Sequence, residues 1–135
     1  LRLGWDDKIT TYLPLESFLP AVGQGALAIE ARDDDLRVGE MIKIINHRPT
    51  WQAVTAERSF LHAVEGGCRA PVAALATVHA GMIEIQAMVA DREGSQIIRV
   101  SYQGNAVSPQ QAGQNLAHSM LEAGAASLIK DTRCR

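Results

Sequence analysis

A chain of 135 residues, 47% of them hydrophobic, is the size of one domain or of one small domain joined to part of another, with enough apolar material for a core. Only 4% are aromatic, so the core is mainly aliphatic, and a net charge of -2 supplies no basic field for a nucleic-acid partner. No apolar run approaches the roughly 20 residues that span a bilayer.

The same absence of apolar runs, with no visible secretory leader, predicts neither a membrane partner nor an exported chain. Cys68 and Cys134, far apart, predict no disulfide framework and a reducing, cytoplasmic setting. The opening Leu1-Arg2-Leu3-Gly4, without methionine, predicts further sequence upstream.

Residues 1 to about 25 read as irregular, punctuated by Pro14, Pro20, Gly23 and Gly25. Ala26 to Ala31, "ALAIEA", predicts a short strand. The run Asp33-Asp34-Asp35 admits a metal site, but carboxylates at a helix start cap free N–H groups and complement the helix dipole, so capping is the better reading. Val38, Met41, Ile42 and Ile45 then form one apolar helical face, which Asn46-His47-Arg48-Pro49 ends.

Thr50 is the expected N-cap of a second helix, with Ala53, Ala56, Phe60, Ala63 and Val64 as its buried stripe and Gly66 past its end. Three alternating segments follow: Val72 to His79, a turn at Ala80-Gly81, then Met82 to Ala90 with Ile83, Ile85, Ala87 and Val89 on one face. "DREG" makes a second turn, and Ser95 to Gln103 a third strand carrying Ile98, Val100 and Tyr102. Ser108-Pro109-Gln110-Gln111 combines an N-cap serine, a proline at N1 and a glutamine at N3. Ala112, Leu116, Met120 and Ala123 continue that helix to a stop at Gly124. The expected fold is α+β, a three-stranded antiparallel sheet with helices on one face. Residues 1–31 fall outside that unit, and the boundary lies near 31–33.

Cys68 sits after two glycines and three residues before Pro71, on a loop past a helix C-terminus. A free cysteine is often a small buried apolar residue. The flanking glycines also allow an exposed thiol that reaches a cleft, and Arg69 favours the thiolate slightly. A protease-type nucleophile or a metal ligand is a weaker reading, because His47, His62, His79 and His118 have no metal spacing to a cysteine pair. Gly23-Gln24-Gly25 is too short for a dinucleotide fingerprint. It is either a hinge entering a strand or a turn that presents Gln24 and backbone amides to a ligand.

Together, Glu57 to Ala73, "ERSFLHAVEGGCRAPVA", and Pro20 to Arg32, "PAVGQGALAIEAR", resemble the hydroxymethylbilane synthase (porphobilinogen deaminase) family. "LRLG" at the start and "DREGSQIIR" later resemble the same family; Ala70 departs from its usual β-branched residue. The resemblance implies a dipyrromethane cofactor joined through a thioether to Cys68. Gln24 and Gly25 would line the cofactor cleft, and Arg2 would bind the acetate and propionate carboxylates of substrate, for which a planar guanidinium fork is suited. It also implies porphobilinogen and the growing pyrrole chain as partners, a monomer, and a three-domain enzyme of which this is the C-terminal portion. Residues 1–32 would be the tail of the second domain and the crossover strand to the first, parts of a periplasmic-binding-protein-like α/β pair. Residues 33–135 would be the cofactor-anchoring domain. The catalytic aspartate has no match in this chain, so the chain alone is expected to be inactive. The alternative, a non-catalytic α+β binding module, leaves both glycine-flanked motifs unexplained, and a cysteine hydrolase would need a histidine placed on Cys68.

Overall fold

The computed structural model of the chain describes residues 3–65 and 71–131. Its core is a three-stranded antiparallel sheet in the order β1-β2-β3, with β1 Val72–His79, β2 Met82–Ala90 and β3 Ile97–Asn105. Val72 pairs with Val89 and His79 with Met82 across the first ladder; Met82 pairs with Asn105 and Ala90 with Ile97 across the second. Period-two alternation decides which face is inside. Ile83, Ile85, Ala87 and Val89 of β2 and Ala74 and Ala76 of β1 are buried, while Ile98, Val100 and Tyr102 of β3 pack beside them. Ala80 (φ 49°) and Gly81 (φ 79°) are both left-handed, which matches the type I′ geometry of a two-residue hairpin. Ala80 carries the strain of that conformation, roughly 1–2 kcal/mol.

Two helices cover the buried face. α2, Arg48–Glu65 (α1 is described below), contributes Ala53, Ala56, Phe60 and Val64, and α3, Pro109–Met120, contributes Ala112, Leu116, Ala117 and Met120. The two helices touch at Gly113, where an added Cβ would lie 2.2 Å from the Ala56 carbonyl oxygen and 2.7 Å from the Phe60 nitrogen. Ser59 Oγ donates to the Gln110 carbonyl oxygen at 2.9 Å across the same contact. Gln52 is buried and donates from Nε2 to the Ala106 carbonyl oxygen at 2.6 Å, tying α2 to the segment between β3 and α3.

Several expectations are met and several corrected. The α+β fold and the first two strands stand as expected, and β3 is displaced by two residues, to Ile97–Asn105. Asp35 caps α1, Leu36–Ile45, by accepting from the Val38 nitrogen at 3.0 Å, and Asp34 pairs instead with Arg32. Thr50 is not an N-cap: α2 starts at Arg48 with Pro49 in its first turn, and the Thr50 N–H points to His47 Nδ1 at 3.4 Å. Ala63 is exposed, and Gln52 and Glu57 are buried in the same helix. Gly66 lies outside the described residues. Ala26 to Ala31 forms no strand, because no ladder partner reaches it among the described residues; Leu27 is 89% exposed. The apolar face of α1 is likewise uncovered, with Val38, Met41 and Ile45 exposed. Ala123 is exposed, and Gly124 (φ 97°) kinks the chain rather than ending it: α4, Ala126–Asp131, follows and buries Leu128 and Ile129.

The face of the sheet away from the helices carries the irregular segment before residue 20. Leu15, Glu16 and Leu19 line a shallow groove with Leu75, Thr77, Glu84 and Gln86. The Arg99 guanidinium donates to the carbonyl oxygens of Glu16 (2.6 Å) and Ser17 (2.9 Å), fixing that segment to β3.

Candidate functional site

β1 is an edge strand, and the N–H groups on its free side need acceptors. Two are supplied from elsewhere in the chain. The Ala74 nitrogen donates to the Pro20 carbonyl oxygen at 3.2 Å, and the Ala76 nitrogen donates to Glu57 Oε1 at 2.8 Å. The other carboxylate oxygen, Glu57 Oε2, accepts from the Gly23 nitrogen at 2.7 Å. One side chain, 5% exposed, thus holds together α2, β1 and the turn over Val22–Gly25.

That turn is built for display. Gly23 (φ 74°) and Gly25 (φ 85°) both occupy the left-handed region, which glycine enters without a Cβ clash. Between them Gln24 is exposed; its Oε1 accepts from the Ala21 nitrogen at 3.2 Å, and its own N–H donates to the Ala21 carbonyl oxygen at 3.0 Å. The carbonyl end is so occupied, and the amide nitrogen of this exposed side chain has no acceptor among the described residues.

Of the sequence-predicted site residues, the structure therefore describes Gln24 and Gly25, in one turn against the edge of β1. Cys68 and Arg2 lie outside the described residues. Of the elements that flank the cysteine segment, α2 runs to Glu65 and β1 begins at Val72. His62 is exposed on α2, His79 is exposed at the end of β1, and His118 pairs with Glu122 at 3.3 Å. Among the described residues no group of histidine, cysteine and carboxylate side chains is arranged to hold a metal ion, and no helix is long and apolar enough to cross a membrane.

Sequence reasoning counted Glu57 only as part of a motif and missed its structural position. The available signal was its spacing: residue 57 lies four after Ala53 and three before Phe60, on the buried stripe, where a carboxylate requires donors. Burial pushes the Glu57 carboxyl above its ordinary range, against the Ala76 and Gly23 N–H bonds that pull it down. The folded chain then holds this proton more tightly than the unfolded chain. The resulting stability is fully present below the unfolded value of 4.5 and is lost as pH rises through the higher folded value. Denaturant titrations from pH 4 upward should show the parent losing stability relative to Glu57→Gln across that window; a constant difference between the two would contradict it.

Comparison with known proteins then decides the family. Residues 51–122 match the model for the porphobilinogen deaminase C-terminal domain, and residues 1–40 match the porphobilinogen deaminase dipyromethane cofactor binding domain. The chain belongs to the porphobilinogen deaminase family. A porphobilinogen deaminase of Desulforudis audaxviator is 43% identical over 132 residues, covering 98% of this chain and 43% of the relative. Those of Pelotomaculum thermopropionicum and Moorella thermoacetica are 42% and 43% identical, with 98% and 99% of this chain covered. The chain thus spans well under half the length of these porphobilinogen deaminases, 42 to 43% of each.

Proposed function

We propose that the protein to which this chain belongs is a hydroxymethylbilane synthase, a transferase of tetrapyrrole biosynthesis. It deaminates porphobilinogen and joins the pyrroles into the linear tetrapyrrole hydroxymethylbilane. The observation that carries this reading is family membership over nearly the full chain, with the "EGGC" motif intact at Glu65 to Cys68.

Dipyrromethane, when bound, supplies a free pyrrole carbon as the nucleophile from which the product chain grows. Cys68 holds it through a thioether, a linkage that survives repeated cycles where an ester or disulfide would not. The site residues fit such a group: the acetate and propionate arms of pyrroles accept hydrogen bonds, and the amide nitrogen of the exposed Gln24 is a donor on a turn anchored to the strand that follows Cys68. The backbone of Gly25, without a side chain, permits close approach. Arg2 offers a bidentate guanidinium to a substrate carboxylate.

In this reading residues 1–32 close the second domain and cross to the first, and residues 33–135 form the anchoring domain. The exposure of Trp5, Leu27, Ile29, Leu36 and Ile44 suits surfaces that the remainder of the protein covers. The acid that protonates the substrate's leaving amine belongs to that remainder, and the whole works as a cytoplasmic monomer. Porphobilinogen consumption tests the assignment. The complete protein should consume it and release a linear tetrapyrrole, while the 135-residue chain alone should consume none. Failure of the complete protein would remove the function, and turnover by the isolated chain would remove the division of labour.

A further inference from the structure

We infer that Glu57 is a positioning residue for the reaction: its carboxylate sets the Gly23-Gln24-Gly25 turn relative to α2 and β1, the elements on either side of Cys68 in the sequence. The inference rests on the function proposed above and deepens it. Three observations carry it. The two Glu57 oxygens are divided between two elements, Oε2 on the Gly23 nitrogen at 2.7 Å and Oε1 on the Ala76 nitrogen at 2.8 Å. Glu57 itself stands on α2, whose last residue, Glu65, precedes the cysteine segment, and Ala76 stands on β1, which follows it. Finally, the Pro20 carbonyl oxygen accepts from the Ala74 nitrogen, so the turn is seated on the β1 edge at two points and Gln24 is held out from it.

The choice of side chain has a chemical reason. Both partners of Glu57 are N–H donors, and a carboxylate offers two acceptor oxygens with no donor. Glutamine has the same shape but presents an NH₂ to one of the two N–H groups, which breaks one bond and sets donor against donor. The mismatch is costly, most of all at the buried Ala76 N–H, where a lost acceptor leaves a donor unsatisfied. The carboxylate thus acts as a two-point bracket. It fixes the turn that carries Gln24 relative to α2 and β1, without touching the substrate.

The test uses the complete, cofactor-loaded protein, with turnover normalised to the fraction of molecules carrying the two added pyrrole units. Glu57→Gln should lower kcat/KM about 10- to 100-fold, the scale on which a displacement of about 1 Å in a binding group acts. Gln24→Ala should do the same. The double variant should be no worse than the poorer single, because Glu57 works through the turn that Gln24 occupies. Leu116→Ala, which loosens the core away from the turn, should keep its kcat/KM at temperatures where it is folded.

Multiplicative losses in the double variant would overturn the inference. So would an equal loss in Leu116→Ala, or a folded Glu57→Gln protein that takes up no cofactor, since the residue would then serve anchor assembly. Hydrogen exchange on the parent supplies a reading that needs no variant: the Gly23 amide should be protected far beyond that of Gly25, and equal rates would contradict the bracket. If the parent itself neither carries pyrroles nor consumes porphobilinogen, the proposed function fails, while Gly23 protection still tests the bracket independently.

Discussion

Gly113→Ala destabilises the chain by about 3 kcal/mol, at the upper end of what overpacking a close helix contact costs. In an open helix the same change gains about 1 kcal/mol, since alanine is the better helix former. Here the added methyl meets the Ala56 carbonyl oxygen at 2.2 Å and the Phe60 nitrogen at 2.7 Å, both backbone atoms of α2. No side-chain rotation relieves that clash, so α2 and α3 must separate, and Phe60 and Leu116 lose their seats in the core. Gly39 in α1 is the control, because a Cβ there meets nothing within 4 Å. Denaturant midpoints should therefore move in opposite directions for Gly113→Ala and Gly39→Ala. An unchanged or raised midpoint for Gly113→Ala would contradict the packing described here.

On the proposed function, Cys68→Ala should remove porphobilinogen turnover from the complete protein altogether. In that reading the removed sulfur is the covalent attachment point, so no other side chain would substitute for it. Arg69→Ala, by contrast, leaves the linkage possible and should reduce turnover far less. Activity assays of the two purified variants beside the parent check this. Retention of turnover in Cys68→Ala would show that the motif has another purpose.

The elements most legible in the sequence were those whose pattern is local. Ile83, Ile85, Ala87 and Val89 alternate, a two-residue turn precedes them, and β1 and β2 follow at the expected residues. Ser108-Pro109 placed the start of α3 for the same reason. What was misread depends on partners distant in sequence. Gln52 is buried because the Ala106 carbonyl lies over it, and Glu57 because Gly23 and Ala76 converge on it, 34 residues before and 19 after. Ala26 to Ala31 and the apolar face of α1 have the composition of buried elements, yet nothing among the described residues covers them. At Gly124 a glycine with φ 97° reads as a terminus, but Leu128 and Ile129 beyond it recover core contacts and the helix resumes. The glycine-flanked turn was visible as an unusual stretch; the residue that holds it was not, because its role lies in a hydrogen-bond geometry rather than in a spacing.

The central claim is that Cys68 anchors the pyrrole cofactor, and intact mass of the complete protein beside its Cys68→Ala variant tests it most directly. The parent should exceed its polypeptide mass by two linked pyrrole units, and the variant should match its own polypeptide mass. Equal agreement of both proteins with their bare polypeptide masses, or the same added mass on both, would contradict it.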